Sequence, residues 1–445
     1  MQLSGKDTLN PLSNDDFENL MGALDIGAPR SIAVAVSGGA DSLALTLLLN
    51  QHCKNHNIGL VALTVDHGLR EKSEKEAEQV KFWLATQDID LHILTWIGHK
   101  PNANIHDEAR NARYRLMGQW CADNEVSHLF LAHHKQDQAE TFLMRLFRGS
   151  GIDGLSAMKK VAEFPTAKTT GDFPKIYRPL LDVDKSRLED YLRQRGQKWI
   201  EDPSNENKKF TRVQVRDLMQ NSEIEGLNAD RLSATAQRMR RVRSLLEELS
   251  KTAESDYVIY NEFGFACLDR NFHKNLHEEI SLRLLSEILK NVSGSEYPPR
   301  HQKLTALLDN LETPEFAGQT LSGVIIFQYS ESQIIFAREL RDVPVEINIS
   351  KAKQCMWDSR YLLEVDHISG KVVPIDENIL GYISEVLPDL KERLATIFEH
   401  HQLRDRILPS LPCIIDDNGK VMLPDFLLSA LDTRELDGFS AVFKK

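Results

Sequence analysis

The chain has 445 residues, 41% of them hydrophobic and 27% charged, and 66 acidic against 54 basic residues leave a formal charge of −12. At roughly 100–200 residues per domain, this length predicts two to four domains and excludes a single small fold. The acidic balance excludes a uniformly basic nucleic-acid coat but not a local basic face. In chain order, the N-terminal stretch comes first. It carries Asp15, Asp16 and Glu18 and no apolar core, so no signal peptide is expected. Four β-rich runs follow, at 32–36, 60–65, 91–96 and 128–132. Between them, 43–50, 73–86 and 106–124 read as helices; the second keeps Ala77, Val80, Trp83 and Leu84 on one stripe. Strands alternating with helices at this interval predict an α/β fold, a Rossmann-like parallel sheet with helices on both faces. Ligands of such sheets sit beyond the carboxyl ends of the strands, where the strand order reverses.

Beyond Gly149 the pattern changes. A Thr/Gly/Pro loop at 165–174 and a short helix at 184–195 precede a polar loop at 201–209. A long helix is predicted at 229–253, another helix at 278–292, and strands at 263–268, 323–328 and 333–337. This divides the chain into a nucleotide-binding domain over 1–217, a helical α+β middle domain over 218–345 and a small α+β domain over 346–445. The five cysteines, Cys53, Cys121, Cys267, Cys355 and Cys413, form no C-x-x-C pair. A disulfide scaffold, a cysteine-rich zinc site and a redox pair therefore lack support, and a reducing cytoplasmic setting is expected. No apolar run approaches the roughly 18 residues of a membrane span, so no membrane partner is expected.

The chemistry starts at Ser37-Gly38-Gly39-Ala40-Asp41-Ser42, directly after the first strand. Glycines admit phosphate oxygens close to the backbone, and the free N–H groups of a helix start favour an anion. Asp41 should repel phosphate, which makes it a candidate Mg²⁺ ligand. No G-K-[ST] closes the loop, so it is not a Walker A sequence. It resembles the S-G-G-x-D-S loop of the PP-loop ATP pyrophosphatases, which split ATP between the α and β phosphates.

Further runs narrow the resemblance. Asp66-His67-Gly68-Leu69-Arg70 follows the second strand, and Glu108-Ala109-Arg110-Asn111-Ala112-Arg113-Tyr114 lies in the third helix. His133-His134-Lys135-Gln136-Asp137-Gln138-Ala139-Glu140-Thr141 follows the fourth strand, with Arg178-Pro179-Leu180-Leu181 and Asp202-Pro203-Ser204-Asn205 further on. Together these resemble the tRNA(Ile)-lysidine synthase family over about residues 30–217, with weaker likeness beyond. The resemblance implies that ATP activates C2 of the wobble cytidine in a CAU anticodon. L-lysine then attacks C2, giving lysidine, AMP and pyrophosphate. The implied partners are ATP, Mg²⁺, L-lysine and tRNA(Ile), for a monomer or homodimer. One position departs from the family: an Asn often follows the Arg corresponding to Arg212, and here Val213 stands there.

Residue chemistry assigns candidate roles. Asp41 and Asp137, at the ends of strands expected to be neighbours, are candidates to share one Mg²⁺. His133 is placed to meet phosphate or the leaving group. Glu140 or Asp137 is a candidate to accept the lysine proton or hold the ammonium, whose unperturbed pKa is about 10.4. Ser37, Gly38, Gly39, Ala40, Ser42, Asp66 and Arg113 are the remaining nucleotide candidates. Arg110 and Arg113, three apart on a helix, suit phosphates or the tRNA backbone. From Lys185 to Arg243 the chain holds fourteen Lys/Arg against nine Asp/Glu. Arg212, Arg216, Arg238 and Arg241 in that stretch, with Asp202 and Asn205, are the tRNA candidates. A tRNA thiolation enzyme or a non-catalytic RNA-binding relative are the alternatives. The first wants paired cysteines and the second has no need of the intact acids.

Overall fold

A computed structural model of the chain describes residues 10–68, 73–97, 105–165, 173–201, 211–295, 297–313, 315–350, 353–365, 368–398 and 401–444, with 105–107 described by backbone alone. Cα packing divides it into two compact units, residues 1–167 with 171–244, and residues 245–445.

The first unit is built on the four expected strands, β1 (Ser31–Ala35), β2 (Gly59–Asp66), β3 (Asp90–Thr95) and β4 (His128–Phe130), all parallel. Two short strands, β5 (Val161–Ala162) and β6 (Lys175–Tyr177), complete the order β3-β2-β1-β4-β6-β5, with only β5 antiparallel. Its helices are α1 (Asn14–Gly22), α2 (Ala40–His56), α3 (Ser73–Ala85), α4 (Ile105–Asp123), α5 (Lys135–Phe147), α6 (Ile152–Leu155), α7 (Lys185–Gln194), α8 (Thr211–Asn221) and the first part of α9 (Ala229–Tyr257). Side chains along β1 alternate between two cores, as the period of two demands. Ile32 and Val34 join Phe17, Leu43 and Leu188 from α1, α2 and α7. Ala33 joins Tyr114, Met117 and Cys121 from α4 on the other face. Covering both faces is what a parallel sheet requires.

Helix α2 runs longer than the expected 43–50. It starts at Ala40 because Gly39, at φ −74° and ψ 163°, already serves as its N-cap. It runs on through His52 and Cys53, which are buried, and stops where Asn57 turns left-handed at φ 56°. Leu43, Leu45, Leu48 and Leu49 are fully buried along it. Each contributes about 1.5–3 kcal/mol, which outweighs the polar residues after Asn50.

The second unit opens with a five-stranded antiparallel sheet that includes Ala266–Asp269, Val324–Gln328 and Gln333–Arg338. Helix Glu278–Ser293 packs Leu285, Ile288 and Leu289 against its Leu268 and Phe336. A second five-stranded sheet and a three-stranded sheet follow. Phe263, Ile335 and Ala337 cluster with Trp357, Leu363 and Ile414, so residues on both sides of 346 share one core. Arg338 and Arg360 each bond the Asp358 carboxylate, at 2.8 and 2.7 Å, and all three are buried.

Candidate active site

Strand order reverses between β1 and β4, with β2 and β3 on one side of β1 and β4 on the other. The crevice beyond that reversal is where α/β sheets bind ligands. Two loop-to-helix junctions meet there, one leading into α2 and one into α5. The first is shaped by Ser42. Its hydroxyl accepts the Ser37 N–H at 3.1 Å and donates to the Gly39 carbonyl at 3.0 Å. Gly38 sits at φ +84°, where a Cβ would lie 2.8 Å from Val80 and 3.0 Å from Ile200. Its carbonyl accepts from the Ile200 N–H at 2.9 Å. Glycine is therefore required at 38 by backbone and space alike. A Cβ at Gly39 would meet only the Ser37 hydroxyl, at 3.6 Å, which leaves the start of α2 open to an anion.

A cavity of about 520 Å³ opens on this loop, within the range of small-molecule sites. Ser37, Gly39, Asp41 and Ser42 line it from one side, with Asp66 and Arg113 beside them. His133, His134, Asp137, Arg212 and Arg216 line it from the other. The adjacency of the Asp41 and Asp137 segments is as expected from the strand order.

His134 stands between the two acids. Its Nε2 lies 3.5 Å from Asp41 Oδ2 and 3.5 Å from Asp137 Oδ2. Burial would lower its pKa, but the bond to Asp41 and the charges of Asp137 and Asp41 raise it. Asp41 Oδ1 is buried with no hydrogen-bond partner. A carboxylate oxygen left so is costly unless a cation meets it, so this donor set fits a hard divalent ion. Asp137 accepts from Arg212 Nη2 at 2.7 Å and from the His134 backbone N–H at 3.0 Å. Burial would raise its pKa, yet His134 and Arg212 hold it below the ordinary carboxylate value. His133 is pushed down to about 3, by burial first, against the opposing charge of Asp137. Its Nδ1 accepts from Arg178 Nε at 3.3 Å. It is therefore neutral at working pH and carries its proton on Nε2, a hydrogen-bond donor.

Three of the sequence candidates, Glu140, Arg212 and Arg216, are joined in ion pairs. Glu140 does not line the cavity. Its side chain is 2% exposed, with Oε2 2.6 Å from Arg212 Nε and Oε1 2.7 Å from Arg216 Nε. Both of its oxygens are engaged by guanidiniums. Arg212 and Arg216 are the partners of Glu140 and Asp137, and both line the cavity. Burial would lower the Arg212 pKa, and these two acids raise it.

The other candidates separate. Arg113 lines the cavity and has no hydrogen-bonding or carboxylate partner among the described residues, its guanidinium 5.9 Å from the Tyr114 ring. Arg110 is exposed, lies 5.1 Å over the same ring and is not part of the lining. Asp66 accepts from the Gly68 N–H at 2.8 Å and the Ser73 hydroxyl at 2.7 Å, so it shapes the turn after β2 at the cavity wall. Asp202 and Asn205 lie outside the described residues, as does Arg70. Arg238 and Arg241 are exposed on α9 and pair with no carboxylate among the described residues. Much of the remaining basic stretch is neutralised internally: Arg187 by Asp16, Arg193 by Glu189 and Asp190, Arg243 by Asp153. Sequence reasoning missed His134 and Arg178. His134 stands in the run after the fourth strand without a role of its own, and its tie to Asp41 crosses from β4 to β1. Arg178 stood in a quoted run, but its bond to His133 spans 45 residues.

A family model described as a PP-loop domain matches residues 13–224, which contain this whole cavity. Similarity extends past that domain. The chain is 32% identical to the tRNA(Ile)-lysidine synthase of Wolbachia pipientis wMel over 411 residues, 91% of each chain. The chain belongs to the tRNA(Ile)-lysidine synthase family. Two further tRNA(Ile)-lysidine synthases are similar to it. That of Ruegeria pomeroyi is 34% identical over 79% of this chain and 80% of its own. That of Rhodopseudomonas palustris is 39% identical over 68% of this chain and 89% of its own. Among the described residues, no helix of this lysidine synthase family member is long and apolar enough to cross a membrane.

Proposed function

We propose that this chain uses ATP to join L-lysine to C2 of the wobble cytidine of a CAU-anticodon tRNA(Ile), through an adenylated cytidine, with release of AMP and pyrophosphate. One observation carries the reading. A glycine loop at a helix start, an orphaned carboxylate oxygen and an unpaired arginine face one cavity in a chain of this family. The start of α2 supports binding of ATP phosphates through its free N–H groups, and Arg113 supplies a fixed cation to them. A divalent ion such as Mg²⁺, when bound, supplies charge neutralisation at the α-phosphate, and Asp41 and Asp137 are the residues that would hold it. His133, neutral and donating through Nε2, suits a phosphate oxygen whose charge grows during transfer. Glu140 acts on Asp137 through Arg212, as a positioning residue. The thiolation alternative finds no support at Cys121, whose buried thiol is pushed up to about 12.

The test is nucleoside mass analysis of CAU-anticodon tRNA incubated with the protein, ATP and labelled lysine. A labelled wobble nucleoside is expected, with pyrophosphate release sustained only when tRNA and lysine are both present. Unlabelled tRNA, or turnover indifferent to lysine, would reject the proposal.

The tRNA reading rests on residues 1–217 for catalysis, with 218–345 and 346–445 for the tRNA body. Arg238 and Arg241, both exposed on α9, are its handles. Reversing both to Glu is expected to raise the Kd for tRNA about tenfold or more at low salt, measured by fluorescence anisotropy. The slope of affinity against salt should flatten as phosphate contacts are lost. Unchanged binding would place the tRNA elsewhere.

A further inference from the structure

Helix α2 carries a second cluster at the end away from the glycine loop. His52 and His56 stand one turn apart on one face, the spacing at which two histidines of a helix take a zinc ion. No carboxylate lies beside them in sequence, but α1 supplies one. Glu18 Oε2 lies 2.8 Å from His52 Nδ1 and 3.1 Å from His56 Nε2. The three donor atoms all fall within 4.8 Å of one another, and the imidazole rings are 4.4 Å apart.

The arrangement is more convergent than hydrogen bonding needs. Two ring nitrogens compete for one carboxylate oxygen, while Glu18 Oε1 has no partner among the described residues. A tetrahedral zinc with bonds near 2.0–2.1 Å holds its ligands about 3.3 Å apart, so both nitrogens stand within about half an ångström of ligand spacing from the Glu18 oxygen. Imidazole with carboxylate is a donor set that suits zinc and its divalent neighbours, not magnesium. Phe17 meets the His52 ring edge-on at 6.4 Å and fixes its orientation. Exposure rises from 7% at His52 to 51% at His56, so an ion can enter from the His56 side. His52 follows Asp41 by eleven positions, about 16 Å along the helix axis, so this site is separate from the nucleotide cavity.

We propose that Glu18, His52 and His56 form a divalent transition-metal site, filled by Zn²⁺, with a fourth position open to water. The ion clamps α1 onto α2 and so stabilises the N-terminal edge of the first unit. The full chain, stripped by chelation and dialysed, is titrated with zinc chloride against a chromophoric zinc indicator, beside His56→Gln at the half-exposed position. One zinc equivalent is expected in the native chain. Its Kd should rise at least tenfold in the variant, and the zinc-induced rise in Tm should vanish there. No bound equivalent, or a change below tenfold, overturns the site. Should His56→Gln fail to fold, by circular dichroism, Glu18→Gln is judged by the same threshold. Turnover with Mg²⁺ and ATP is expected to be unchanged in either variant, which separates this site from the catalytic one.

Discussion

Asp41→Asn is expected to lower tRNA-dependent pyrophosphate release by about 10²–10³-fold, the usual cost of removing one fixed electrostatic contact to a developing charge. The fold should survive the change. Asp41 Oδ1 is buried and unpartnered, so the native carboxylate already costs stability. An amide is cheaper to bury, and its gain offsets the roughly 0.3–1 kcal/mol that a negative charge contributes in the first turn of α2. The weakened contact with His134 works the other way, so net stability should move by no more than about 2 kcal/mol. A second readout isolates the ion: the Mg²⁺ concentration giving half-maximal turnover should rise in the variant, about 10–100-fold. Full-speed AMP formation in a folded sample would remove Asp41 from the chemistry. So would a lost rate with an unmoved Mg²⁺ requirement, as far as its role as a ligand is concerned.

Asp41 was legible in the sequence because everything that defines it is local. Strand, glycines, acid and helix start follow one another without a gap, and the physics of an anion at a helix terminus needs no distant residue. The neighbouring of Asp41 and Asp137 was legible for a weaker reason, since the alternation of strands and helices fixes a doubly wound order in which the first and fourth strands meet. The ion pairs were not legible. Glu140 and Arg212 are 72 positions apart, and nothing in either local pattern tells a carboxylate that will be buried under two guanidiniums from one that will face substrate. The basic stretch is subject to the same kind of distant pairing. Counting charges along 185–243 measures supply, whereas binding depends on what remains after Asp16, Asp153, Glu189 and Glu140 have taken their share. Glu18 and His52 illustrate the converse: an isolated histidine pair acquired its third member only when α1 folded against α2.

Glu140→Gln is expected to destabilise the first unit by about 2–3 kcal/mol, somewhat below the 3–5 kcal/mol typical when one partner of a fully buried ion pair is removed. The reduction reflects the arginines, whose side chains are 39% and 36% exposed and recover part of their hydration. Gln keeps the volume but turns one acceptor oxygen into a donor NH₂ facing a guanidinium N–H. Arg212 still has Asp137, so the loss falls mainly on Arg216 and on the packing of α8 against α5. Thermal denaturation should show Tm lowered by about 4–12 °C, at roughly 2–4 °C per kcal/mol for a unit of this size. Activity should fall as well, because Arg212 is the link through which Glu140 holds Asp137 in place. The pH dependence gives a further signature. Asp137 sits below its ordinary value, so its contribution is present above the ordinary carboxylate range and disappears as the pH drops through its folded value. The native chain and the variant both keep Asp137 and its bond to Arg212, so each should lose stability as the pH falls through that value, followed as Tm against pH. Equal melting of variant and native chain at neutral pH would mean that the two guanidiniums do not depend on Glu140 in solution, and Glu140 would return to the candidates for direct chemistry.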